Sequence, residues 1–157
     1  MSRLTDIDNY LVVENGQIKE STFKQDIQIQ NQTLTINEDA KVQIIYKVTQ
    51  EGDYRFNITL KERLHVDLIE MYEVSTKCRF TKNIKVNESC EVLRYVEKNS
   101  QENISIDLDE NVDVCANAHI SCAYVELTDY STFSKVKYQL LEEGASARLR
   151  LASLSKE

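Results

Sequence analysis

Tyr54-Arg55-Phe56-Asn57-Ile58-Thr59-Leu60-Lys61-Glu62-Arg63-Leu64-His65-Val66-Asp67-Leu68 decides the fold class. From Tyr54 every second residue is apolar up to Leu60, and Arg55, Asn57, Thr59 and Lys61 lie between. After a corner containing Glu62, the same parity resumes at Leu64, Val66 and Leu68. A period of two puts apolar side chains on one face of an extended strand. The stretch therefore reads as two half-buried strands joined by a tight corner.

Outward from this stretch the unit recurs. Ile36-Asn37-Glu38-Asp39-Ala40 leads into Val42 and Ile44, and Val86-Asn87-Glu88-Ser89-Cys90 leads into Val92. Leu108-Asp109-Glu110-Asn111-Val112 leads into Val114, and Leu141-Glu142-Glu143-Gly144-Ala145 into Ala147 and Leu149. Val13-Glu14-Asn15-Gly16 is a weaker copy. Glu14, Glu38, Glu62, Glu88, Glu110 and Glu143 then follow one another at intervals of 24, 24, 26, 22 and 33, the last leaving room for an insertion around Thr128 to Ser134. A repeat of this length marks a stacked architecture. Two strands per unit suit one turn of a parallel β-helix. Antiparallel hairpins compete, but Asn15-Gly16 is the lone Asn-Gly or Asp-Gly hairpin signal. No stretch carries a sustained helical stripe, and Asp6 to Glu14 reads equally as a short helix or a strand.

Composition bounds the rest. A chain of 157 residues, 41% hydrophobic and 29% charged, suits one globular domain over 1–157. A net charge of −7 argues against nucleic acid and anionic membranes as partners. No run approaches the roughly 18 apolar residues of a membrane span. Met1 to Gly16 has no signal-length apolar run, so the expected location is cytoplasmic. Cys78, Cys90, Cys115 and Cys122 are then expected as reduced thiols. The sequons at Asn31, Asn57, Asn87 and Asn103 are expected to be chance matches. With no Pro and only Gly16, Gly52 and Gly144, the turns must rest on Asn, Asp and Glu.

Ile36-Asn37-Glu38-Asp39-Ala40-Lys41-Val42-Gln43-Ile44-Ile45 resembles the Ile-x-Glu-x-Ala pattern, followed by alternating apolar residues, of the SufB/SufD iron–sulfur assembly proteins. Leu64 to Tyr72 resembles that family's apolar-acidic strand after such a corner. Leu140 to Ala145 is similar to its L-x-G-x-G-A stretch, with Glu142 in place of the first Gly. The resemblance runs from about Thr33 to Leu154. It implies a right-handed parallel β-helix in a cytoplasmic scaffold. The family's cluster-building Cys and His, and the helical region that binds its ATPase, lie in a C-terminal half with no counterpart here, so no functional residue is carried over.

The residues themselves offer few chemical constellations. In Cys115-Ala116-Asn117-Ala118-His119-Ile120-Ser121-Cys122 alternation turns Cys122 inward and Cys115 and His119 outward. Four residues of strand separate Cys115 from His119 by roughly 13 Å, too far to share a metal without help from a neighbouring turn. Cys78 and Cys90 share the apolar parity and read as core. His65 reads as solvated, as do Arg148 and Arg150 on the polar side of their strand. The recurrent corner glutamates read as structural rather than as a glycosidase acid pair. No catalytic, cofactor-binding or metal residue is expected.

These readings predict an all-β chain, a short right-handed parallel β-helix of about six turns. The expected function is a non-catalytic scaffold or assembly partner of the SufB/SufD kind, tied to iron–sulfur cluster assembly. The alternative is a self-associating module with no such role, and a β-helical carbohydrate-active enzyme ranks last. The strand Ala145 to Leu151 runs almost to the end of the sequence, so its edge is expected to bind a protein partner or a second copy as a homodimer.

Overall fold

The computed structural model describes residues 7–100, 104, 106–127 and 133–154. Their regular structure is all strand: β1 (Asn9–Glu14), β2 (Gln17–Thr22), β3 (Ile27–Gln30), β4 (Thr33–Ile36), β5 (Ala40–Val48), β6 (Gly52–Leu60), β7 (His65–Val74), β8 (Cys78–Val86), β9 (Glu91–Ser100), β10 (Ile106–Val114), β11 (His119–Leu127), β12 (Phe133–Leu140) and β13 (Ser146–Leu154). β1, β5, β7, β9, β11 and β13 stack in parallel as one sheet. β4, β6, β8, β10 and β12 stack in parallel as the other. The chain passes from one sheet to the other at each corner. This is a parallel β-solenoid of about four turns.

The expected count of about six is thereby corrected. Ile36, Leu60, Val86, Val114 and Leu140 occupy one register column, with steps of 24, 26, 28 and 26 residues. Glu38, Glu62 and Glu88 sit at corners, as expected. Glu14 instead ends a strand at an antiparallel hairpin, and Glu110 lies in the middle of β10. The corner after β10 carries Ala116 where the others carry Glu, and Glu142 rather than Glu143 fills the last equivalent place. The interval of 33 joins unlike positions, Glu110 within a strand and Glu143 one residue past the corner place. Of the expected insertion, residues 128–132 lie outside the described residues. The segment left open around Asp6 to Glu14 is a strand from Asn9 onward.

Backbone conformation explains how the chain turns without proline. Arg63, Ser89 and Asn117 take positive φ of 62°, 59° and 55° at successive corners. Their amides donate to the corner above, Arg63 to the Glu88 carbonyl at 2.8 Å, Ser89 to Ala116 at 2.9 Å and Asn117 to Glu143 at 3.1 Å. The last corner is one residue longer, and Gly144 takes its left-handed place at φ 78°. Asn15-Gly16, both at positive φ, closes the β1–β2 hairpin.

Inward positions form columns of Leu34, Ile58, Ile84 and Val112 on one sheet, and Val66, Val92 and Ile120 on the other, all buried. Each such side chain contributes about 1.5–3 kcal/mol by leaving water. The two ends of this core differ. At the start, β2 and β3 add antiparallel edges, Ile27 is buried, and Phe23 and Ile29 pack against the core. At the other end, the inward-facing Leu149 and Leu151 are 47% and 72% exposed, because no described strand follows β13.

Gly144 gives a direct test of the corner geometry. A Cβ there would stand 2.1 Å from Asn117 Oδ1, on a backbone at positive φ. Gly144→Ala is expected to destabilise the chain by more than the roughly 1–2 kcal/mol of left-handed strain alone. In an Asn117→Gly background the cost should fall back to that strain, as measured by urea unfolding.

Candidate functional site: a charged core and its open end

Four charged side chains lie in the middle of the core. Glu70 on β7, Lys82 on β8, Arg94 on β9 and Glu110 on β10 all point inward, and all four side chains are buried. Each occupies a position where the alternation calls for an apolar residue. Lys82 Nζ donates to Glu70 Oε1, and Arg94 Nε donates to Glu70 Oε2. The guanidinium also grips Glu110 with both Nη atoms, Nη2 donating to Oε2 at 2.8 Å. Tyr46 donates to Glu70 at 2.8 Å, and Tyr124 to Glu110 at 2.6 Å. Tyr138 completes the string, its hydroxyl 2.6 Å from that of Tyr124. Lys82 Nζ also lies 3.9 Å from the centroid of the Tyr46 ring, a cation–π contact.

The electrostatics follow from this arrangement. Burial alone would raise the Glu70 carboxyl, but the Arg94 and Lys82 charges override it and hold it down to about 2. Burial likewise pushes Glu110 up, and Arg94 brings it below the ordinary range. Both carboxylates therefore stay ionised opposite two cations. No net charge is left inside, which is the condition for tolerating ions in a low-dielectric interior.

Beyond the string the core opens. Lys98 on β9 pairs with Glu126 on β11 at 2.5 Å. Together with Leu108, Tyr124, Val136, Leu149, Arg150 and Leu151 they line a recess of about 430 Å³ at the β12–β13 end. Its walls are mostly apolar. Leu151 stands at its mouth, and the last strand of each sheet presents an edge without a further neighbour among the described residues.

The residues singled out in the sequence fall elsewhere. Cys78, Cys90 and Cys122 are buried as expected, and all four cysteines are unpaired. Cys115 corrects the expectation: it is buried rather than outward, because the alternation breaks at the corner where it follows Val114. Burial pushes all four thiols up, Cys78 to about 11, which keeps them from being ready nucleophiles. His119 is exposed, with Nδ1 against Ser146 Oγ and Nε2 3.9 Å from Glu91 Oε1. These three residues share one outward column across β9, β11 and β13 and lie open to solvent. His65 is exposed too, its amide donating to Asp39 Oδ1 at 2.8 Å. Among the described residues, no group of three His, Cys, Asp or Glu side chains is placed to hold a metal ion.

The charged string was not anticipated, although it left a mark in the sequence. Glu70, Lys82, Arg94 and Glu110 interrupt the apolar parity of four successive strands, with balancing signs.

Two consequences can be measured. Lys82→Met and Glu70→Gln each leave a buried charge short of a partner, and each is expected to cost about 3–5 kcal/mol. The double variant removes both charges and should cost clearly less than the sum, as read from denaturant unfolding at neutral pH. Acid is expected to undo the same string. The folded-state carboxyl of Glu70 titrates below its ordinary value of 4.5, so its contribution is complete above that pH. It drains away as pH falls from about 4.5 toward 2. The melting temperature of the double variant should depend less on pH across that window.

Compared with known proteins, the chain matches no family model, no curated sequence and no solved structure.

Proposed function

We propose that this chain is a non-catalytic scaffold that works by end-on docking of another protein strand onto β13. One observation carries the reading: among the described residues, the core is closed at its first turn and has no strand stacked on its last. Leu149 and Leu151 face inward with nothing described above them, beside a recess of about 430 Å³. Free strand edges recruit strands, and added strands are a general mode of protein recognition. The link to iron–sulfur cluster assembly rests on the resemblance of Ile36 to Ile45, Leu64 to Tyr72 and Leu140 to Ala145 to SufB/SufD proteins. It makes this chain an assembly partner in a cytoplasmic complex rather than the cluster's own holder. Self-association is the second reading. It is favoured by the placement of an exposed Leu151 and an apolar recess on one surface, which lets two copies fill each other's recess as a homodimer.

Light scattering at tens of micromolar, a range in which standard interfaces persist, tests the docking. The expected result is association, with a second copy or with a β-strand peptide, that Leu151→Asp abolishes. Leu149→Pro should do the same by removing an edge donor. A monomer that binds no strand peptide, or an association indifferent to both substitutions, would sink the reading. Leu151 is 72% exposed, so its replacement leaves the fold intact.

A further inference from the structure

The partner strand is not free to have any sequence. On β13 the side chains alternate between Ala147, Leu149 and Leu151 on the core side and Arg148 and Arg150 on the outer side. The two arginines are exposed, and their rungs on β11 are Ser121 and Ala123. The next rungs, on β9, are Leu93 and Tyr95. No acid stands beside them on β13 or on either of these two strands in their columns, in a chain whose net charge is −7. The backbone is arranged to match. The Ser146 amide donates to the Ala118 carbonyl of the neighbouring turn. Groups on a strand alternate in direction, so the amides and carbonyls of Ala147, Leu149 and Leu151 point to the free edge.

A second copy fits this edge poorly. The fully overlapping two-fold pairing of β13 is centred on Arg150 and sets that residue opposite itself. A slip to Leu149 as the centre sets Arg148 opposite Arg150. Directly opposed like charges destabilise a strand pair. The same two arginines attract a strand with carboxylates at the outward positions.

Resting on the docking reading above, we propose that the β13 edge selects a partner strand alternating apolar with acidic residues. The apolar side chains continue the core over Leu149 and Leu151 and enter the recess beside Tyr124. The carboxylates pair with Arg148 and Arg150 on the outer face.

The test uses three labelled nine-residue peptides that alternate Val with Glu, Gln or Lys, titrated into the intact chain and read by fluorescence anisotropy. The Glu peptide should bind at least tenfold more tightly than the Lys peptide, with Gln between, and raising salt should narrow the gap. Arg148→Glu/Arg150→Glu, both surface changes, should invert the order. Equal binding of all three peptides would overturn the charge selection and leave the docking reading standing. Binding of none, with the chain monomeric, would remove the docking reading itself. A stable homodimer that the Glu peptide fails to displace would make the second copy the occupant and overturn the proposal.

Discussion

Arg94 sits where water cannot reach it, and its neighbours are what make that position possible. Two carboxylates from opposite sheets and two tyrosine hydroxyls surround its guanidinium, and Lys82 shares one of the carboxylates. Losing any one of the charged groups leaves its partner short of a counter-charge in a low-dielectric core. The string draws one charge from each of β7, β8, β9 and β10, so it ties neighbouring turns and both sheets to one another. Apolar columns alone leave the stacking register loosely specified. Sliding a turn by two residues keeps Val, Ile and Leu inside, but it carries Glu110 away from Arg94. The charges thus select one register out of several that hydrophobicity would accept.

The string also divides the core. Against it, on β5 to β8, packs an aromatic cluster, with Tyr46 and Tyr72 stacked at 4.6 Å and Phe56 and Phe80 edge-on to Tyr46. Before that cluster, the hairpin strands β2 and β3 close the sheets at β1 and β4. After the string the packing thins: Leu140, Leu149 and Leu151 are exposed, and the recess reaches in as far as Lys98. The sequence of turns therefore runs from a closed, aliphatic end through an aromatic and charged middle to an end with no described strand above β13. An interaction placed at that open end can add to the sheets without disturbing the register set inside.

Much of this was legible in the residues. The parity of Tyr54 to Leu68 gave the strand pair, and the recurrence of Ile36, Leu60 and Val86 before Glu-bearing corners gave the stacked turn. The turn count went astray because Glu110 obeys the same local pattern while lying mid-strand, and because Ala116 stands at a true corner. Spacing cannot tell a corner glutamate from a buried one. The parity could have: Glu110 shares the face of Leu108 and Val112, as Lys82 shares that of Phe80 and Ile84. Cys115 escapes the alternation because the pattern holds along a strand and fails at the turn that follows it. The Arg94 string could not be assembled from one sequence, since its hydrogen-bonded partners lie 12 to 44 residues apart. Only the register of parallel strands brings them together.

Residue-resolved hydrogen exchange on the free chain tests the central claim, that an internal charge lock holds the middle turns while the last strand waits open. Amides of β7 to β10 should be the slowest to exchange. Those of Ala147, Leu149 and Leu151 should be fast, and should slow once a strand is added along β13. Uniform protection across all turns of the free chain, or slowest exchange in β12 and β13, would contradict the account.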